Sequence, residues 1–173
     1  TLAPLFKDER GKLNWYCLDF WGRTLELDIP MIKAGYTEGI RWRPQAETFL
    51  RHLQASHLDV VMITNAHPLT LDMKAEQLPL AQWFDAMISS HHYGAPKETP
   101  TFWDALMTER PFDPQRTLFV DDSEYVLDSA QEFGIAHLLT LRQPDSSLPV
   151  RLTTRFPAIH HFEEIIDGLP DID

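Results

Sequence analysis

The chain has 173 residues, 43% hydrophobic and 24% charged, an ordinary composition for one globular domain with a buried core, or for one domain plus a small appendage. With 26 acidic against 15 basic residues the net charge is −11, which repels nucleic-acid phosphates and excludes a general DNA or RNA binder. No apolar run approaches the roughly 18–20 residues a bilayer span needs, and Thr1-Leu2-Ala3-Pro4 carries no signal-peptide pattern. Cys17, the single cysteine, can form no intrachain disulfide, so the chain is expected in the cytoplasm.

Residues 1–40 are aromatic-rich. Leu13, Tyr16, Cys17, Phe20 and Trp21 recur at helical spacing and predict one amphipathic helix. A second short helix is expected near Pro30-Met31-Ile32. From Pro44 onward helix and strand alternate. Ala46 to Leu53 reads as a helix, and Leu58 to Ile63 as a strand covered on both faces. Pro68 opens a helix to about Leu78. Asp85 to Ser89 is a strand, and Thr99-Pro100 starts a helix carrying Phe102, Ala105 and Leu106. Thr117 to Val120 reads as a buried strand, followed by a helix capped by Ser123 and stopped at Gly134. Ile135 to Leu141 is a further strand, residues 142–150 a loop, and Ile159 to Ile166 a last helix. The alternation predicts an α/β fold: a three-layer core around a parallel sheet.

Ligands of such sheets bind beyond the carboxyl ends of the strands. Thr64 and Asn65 follow the first strand, Asp121, Asp122 and Ser123 follow the third, and Gly94-Ala95-Pro96-Lys97 lies in a loop before a helix. Thr64-Asn65 alone can simply end a strand, and Lys97 alone can be a solvated lysine. Adjacent carboxylates after a buried strand repel one another, and a cation relieves them. Mg²⁺ takes one or two carboxylates plus substrate phosphate oxygens, while a hydroxyl, an amide and a lysine suit the phosphate itself. Read together, Thr64, Asn65, Lys97, Asp121 and Asp122 describe a phosphoryl-transfer site. His91-His92 reads as a loop pair pointing to different sides, and His160-His161 as a surface pair at a helix start.

Met62-Ile63-Thr64-Asn65-Ala66, Tyr93-Gly94-Ala95-Pro96-Lys97 and Leu118-Phe119-Val120-Asp121-Asp122-Ser123 resemble, in order and spacing, motifs II, III and IV of the haloacid dehalogenase (HAD) superfamily. The resemblance runs from residue 44 to about 140. Asn65-Ala66-His67-Pro68, Asp121-Asp122-Ser123-Glu124 and Leu13-Asn14-Trp15-Tyr16-Cys17-Leu18-Asp19 are similar to its bacterial GMP/IMP 5′-nucleotidase branch. It implies a HAD-like Rossmannoid core over 41–173 and a remnant of a helical cap over 1–40. It also implies a magnesium-dependent phosphomonoesterase working through a phosphoaspartyl intermediate. Asp121 and Asp122 would hold Mg²⁺, and Thr64, Asn65 and Lys97 the phosphate. The substrate would be a nucleoside monophosphate, with no nucleic-acid or membrane partner and a homodimer as an option.

The superfamily's motif I, Asp-x-Asp-Gly-Thr, which supplies the nucleophile, precedes the cap. The nearest string here, Leu18-Asp19-Phe20-Trp21-Gly22-Arg23-Thr24-Leu25, has Trp21 at the second aspartate and helical flanks. The expectation is therefore that the motif I strand, central in the sheet between the strands ending at Thr64 and Asp121, lies outside these residues. Four further readings frame this one. A carbon–halogen hydrolase of the same superfamily needs no metal and leaves Asp121-Asp122 unexplained. A phosphorelay receiver carries its acid pair before, not after, its Thr and Lys. A module without motif I would bind or regulate and not catalyse. A Ser-His-Asp hydrolase lacks its Gly-x-Ser-x-Gly elbow.

Overall fold

The computed structural model describes residues 3–145 and 147–168. In chain order it has α1 (Ala3–Glu9), α2 (Leu18–Leu25), α3 (Ile29–Ala34), α4 (Ala46–Ala55), β1 (Val61–Thr64), α5 (Pro68–Gln77) and β2 (Ala86–Ser89). Then come α6 (Pro100–Glu109), β3 (Leu118–Val120), α7 (Glu124–Phe133), β4 (His137–Leu141) and β5 (Ala158–Ile159), with short 3₁₀ turns between. The α/β class read from the sequence is present, and every strand pair is parallel. The strands form two hydrogen-bonded sheets, β1-β2 and β3-β4-β5. β1 and β3, which the resemblance places on either side of the motif I strand, each stand at an end of their sheet.

The chain divides into two compact units, Thr1–Trp42 with Leu58–Pro96, and Arg43–His57 with Lys97–Asp173. In the first, the single helix expected through Leu13 and Trp21 is instead two elements. A 3₁₀ turn over Leu13–Tyr16 ends at Cys17, whose extended backbone starts α2. The Cys17 Sγ accepts the Phe20 N–H at 3.4 Å, so a side-chain cap interrupts the apolar periodicity. Phe6 stacks on Trp21 with centroids 4.4 Å apart and meets Trp15 edge-on at 5.8 Å. The Trp21 indole N–H donates to the Trp15 carbonyl at 3.0 Å. Trp21 is thereby buried as a packing residue.

β1 begins at Val61, later than the apolar run suggested, and is half-buried along its length. Residues 58–60 are held differently. Val60 N–H donates to the Asp85 carboxylate at 2.7 Å, and Asp85 N–H to the Val60 carbonyl at 2.8 Å. These bonds align β1 with β2, so that Thr64 faces Ser89 in register.

The second unit has the better-filled core. Phe102, Trp103, Val126, Leu127 and Ala130 are all nearly inaccessible. Trp103 lies 5.2 Å from Phe119, edge to face, and 5.9 Å from Phe133. α7 ends at Gly134, whose φ of +107° is a left-handed stop that a Cβ would strain. β3 is less buried than expected, with Leu118 exposed at its start. The last helix predicted from Ile159 is replaced by β5, which pairs Ile159 with Leu141, and by a 3₁₀ stretch over Phe162–Gly168. Phe162 there stacks on Phe49 of α4 at 5.2 Å. Ile159 is drawn into a strand by its pairing with Leu141, and its side chain is buried there. Among the described residues no helix is long and apolar enough to cross a membrane.

Candidate active site

Lys97 and Asp121 meet in the second unit. The Lys97 Nζ donates to the Asp121 Oδ2 at 2.5 Å, with both side chains under a tenth exposed. The Asp121 Oδ1 accepts the Ser123 N–H at 2.8 Å, so the carboxylate itself orders the turn into α7. Ser123 occupies the N-cap position without a side-chain cap bond; the aspartate two residues earlier does the satisfying. The ammonium lies 5.6 Å above the Phe119 ring. The Trp103 indole N–H fixes the Lys97 backbone, donating to its carbonyl at 2.9 Å and lying 3.1 Å from the Ser129 Oγ.

Asp122 differs. Its side chain is exposed, and its backbone carbonyl accepts from the Arg151 guanidinium at 3.0 Å. The repulsion expected between the neighbouring carboxylates is relieved by Lys97, which neutralises Asp121, and by turning Asp122 to solvent. The pair still suits a hard divalent ion. A carboxylate has about four lone-pair sites, of which the Asp121 contacts use two, and the Asp122 carboxylate faces solvent.

Thr64 and Asn65 belong to the first unit, at the carboxyl end of β1. The Thr64 Oγ1 accepts the Ala66 N–H at 3.1 Å and closes a tight turn, and Asn65 is buried. The Ser89 hydroxyl donates to the Ala66 carbonyl at 2.7 Å and accepts the His91 N–H at 3.3 Å. This ties the loop after β1 to the end of β2. Gly94, at φ +66°, turns the chain toward Ala95-Pro96-Lys97, a conformation in which a side chain is strained.

The first unit also holds a group that the sequence reading left apart. Cys17, His67 and His91 each offer a ligand atom, and these lie within 4.8 Å of one another. The two imidazoles meet edge to face at 4.9 Å. Burial first, and then the neighbouring His67, hold the His91 pKa below the usual imidazole range. His91 and His92 share a 3₁₀ turn, not an extended loop, and His91 alone turns toward Cys17. No spacing rule relates three residues so far apart, so only the fold could find them. His160 and His161 are exposed, and both backbone N–H groups donate to Glu164.

A sequence profile described as haloacid dehalogenase-like hydrolase matches residues 24–134. The chain is 36% identical over 164 residues to the GMP/IMP nucleotidase YrfG of Escherichia coli (strain K12), covering 95% of this chain and 74% of that protein. The match to the same nucleotidase from Shigella flexneri has equal extent. Among solved structures, a HAD phosphatase from Thermococcus onnurineus superposes with a TM-score of 0.76 at 16% identity, covering 96% of this chain and 76% of that one. An L-2-haloacid dehalogenase from Xanthobacter autotrophicus gives 0.51 at 22% identity, covering 60% of this chain and 41% of that one. At these identities the superpositions speak for the fold alone.

Proposed function

We propose that this chain, which belongs to the haloacid dehalogenase-like hydrolase family, is a phosphomonoesterase for purine nucleoside 5′-monophosphates such as GMP or IMP. The observation that carries this reading is the buried Lys97–Asp121 ion pair with Asp122 exposed beside it, at the carboxyl end of β3. The 36% identity to a GMP/IMP nucleotidase supports the substrate. Asp121 and Asp122 would hold Mg²⁺, which when bound neutralises phosphoryl charge. Lys97, fixed by Trp103 and Phe119, presents one oriented positive charge to a phosphoryl oxygen or to the attacking carboxylate. The Thr64 hydroxyl has a proton to donate to a phosphate oxygen while its lone pair serves the Ala66 N–H, and the Asn65 amide is the second donor proposed there.

Each of these groups is assigned to hold the ion or the phosphate, and no Asp-x-Asp-Gly-Thr string occurs in the 173 residues. The attacking aspartate of the proposed phosphoaspartyl route is therefore assigned outside them. Asp19 sits in the first turn of α2, on a helix and not at a strand end. Residues 1–40 are proposed as part of a helical cap over a core of 41–173. The Asp121-Asp122 pair favours this route over metal-free carbon–halogen hydrolysis. A cytoplasmic location, a small-molecule substrate with no nucleic-acid or membrane partner, and a homodimer belong to the same proposal.

The test is phosphate release from GMP, IMP and several sugar phosphates, with Mg²⁺ and with chelator. It compares the 173 residues with a protein extended at the N-terminus by an Asp-x-Asp-Gly-Thr strand. Turnover of GMP or IMP by the extended protein alone, abolished by chelation, is expected. Much faster hydrolysis of sugar phosphates would refute the substrate. Equal turnover by the 173 residues would make Asp19 the nucleophile to test.

A further inference from the structure

We propose that Cys17, His67 and His91 form a binding site for a borderline-soft divalent cation of the zinc class, separate from the Asp121-Asp122 pair. Three parts of the first unit converge there: the N-cap of α2, the loop after β1 and the turn after β2. One thiolate and two imidazoles are a donor set that zinc accepts readily and magnesium does not. Their ligand atoms already lie within 4.8 Å of one another. A tetrahedral zinc with bonds of about 2.0–2.3 Å needs them about 3.3–3.7 Å apart, so closure of roughly 1–1.5 Å suffices.

Each ligand is prepared for the task. The His91 ring is hydrogen-bonded to the Asn65 backbone, while its Nε2 is buried and has no hydrogen-bond partner. Nδ1 is thus the atom that carries the proton, and the Nε2 lone pair is left for a cation. Metal-bound histidines are oriented in this way, by donating their other N–H to a carbonyl. An orphaned buried nitrogen costs stability, and a bound cation removes that cost. The Cys17 Sγ accepts the Phe20 N–H at the start of α2, which fixes its position toward the two imidazoles. On binding, the thiol releases its proton to solvent.

His67 requires one rearrangement. Its Nδ1 accepts the Leu69 N–H over a long 3.3 Å, which places the ring proton on Nε2. Coordination by Nε2 moves that proton to Nδ1 and gives up the long cap bond. The Asp19 carboxylate lies 3.7 Å from this Nε2, is largely exposed, and is placed to draw in the cation and occupy or border the fourth position. Among the described residues this is the one group of three or more His, Cys, Asp or Glu side chains with ligand atoms so gathered. The bound cation would staple the N-terminal helices to the loops after β1 and β2.

The test uses Co²⁺ as a spectroscopic stand-in, added to the metal-free chain, with folding of every variant checked by circular dichroism. One equivalent is expected to give a thiolate-to-cobalt charge-transfer band and the intense visible bands of a tetrahedral ion. Zn²⁺ should displace it, and excess Mg²⁺ should not. Cys17→Ser should abolish the charge-transfer band, and His91→Gln and His67→Gln should each weaken cobalt binding at least tenfold. His92→Gln and Asp122→Asn should leave the spectrum unchanged. Absence of the bands in the parent chain would overturn the proposal, as would survival of the charge-transfer band in Cys17→Ser, undiminished cobalt affinity in His91→Gln, or loss of the bands in His92→Gln. Because the readout is spectral, it stands apart from phosphatase activity.

Discussion

The Lys97–Asp121 cluster and the Cys17–His67–His91 cluster solve opposite problems with buried polar groups. At Lys97, every charge is answered: the ammonium by Asp121 and the Phe119 face, the carboxylate by Lys97 and the Ser123 N–H, and the backbone by Trp103. At His91, a buried nitrogen is left unanswered, two imidazoles face one another, and a thiol stands by. A site that keeps its own ion pair is rigid before anything binds. A site with an orphaned lone pair is completed only by what it binds. The first arrangement suits a fixed charge presented to a substrate, and the second suits a captured cation.

Breaking the answered cluster should have the largest effect. Asp121→Asn removes the carboxylate that the buried Lys97 ammonium meets and should cost about 3–5 kcal/mol of folding stability in urea denaturation. Lys97→Met should cost a similar amount for the converse reason. The double variant Lys97→Met with Asp121→Leu should recover part of the loss, because no buried charge is left unpaired, although the Ser123 N–H still loses its acceptor. If each single variant is as stable as the parent, the pair is not buried as described.

The next effect belongs to the residue that holds Lys97 in place. Trp103→Phe keeps the ring among Phe102, Phe119 and Phe133 but removes the N–H that serves the Lys97 carbonyl and the Ser129 hydroxyl. It should cost about 1–3 kcal/mol in thermal or urea denaturation, the usual cost of an orphaned buried acceptor. A neutral result would show that the Lys97 loop does not depend on the Trp103 N–H.

Asp122 sharpens the contrast from the other side. Being exposed, its change to Asn should alter stability by less than about 0.5 kcal/mol. Under the metal assignment, Mg²⁺ affinity measured by calorimetry should still fall by about tenfold or more, roughly 1.4 kcal/mol. Unchanged Mg²⁺ affinity removes Asp122 from the metal site. Asp122→Asn thus separates binding from folding, which Asp121→Asn cannot do.

The two clusters also differ in how far they could be read from sequence. Lys97, Asp121 and Asp122 sit in short contiguous strings at strand ends, where local pattern and position coincide, so the residues were legible. That Lys97 would satisfy Asp121 was not, because it depends on burial and on a Trp103 that reads only as a core aromatic. Cys17, His67 and His91 share no string and no period; only the fold gathers the N-cap of α2, the loop after β1 and the turn after β2. The elements show the same division. α4, α5, α6 and α7 follow from apolar periodicity, first-turn prolines and the Gly134 stop, all of them local. The break at Cys17 depends on a sulfur accepting a hydrogen bond, and β5 at Ile159 on a partner strand elsewhere in the chain. Neither cause has a local signature.

The smallest effect is expected at the exposed end of the loop that carries Asp121 and Asp122. The Glu124 Oε1 accepts the Arg155 backbone N–H at 2.9 Å, and its Oε2 the Arg155 Nε at 3.0 Å. The backbone bond first, and then the side-chain bond, hold the Glu124 carboxyl below its ordinary range. A carboxylate depressed in the folded state is stabilising above its unfolded pKa, and that contribution disappears as pH falls through the folded value. Parent and Glu124→Gln proteins should therefore differ near neutral pH and converge in acid. Arg155 also pairs with Asp128 at 2.9 Å, so its side chain stays partly anchored without Glu124. Solvent and salt screen the pair, and the melting temperature should fall by only about 1 °C at neutral pH. Raising the ionic strength should shrink that difference further. A difference that widened in acid would mean that Glu124 is stabilised in its protonated form. The bonds from Arg155 would then not be what orders the start of α7.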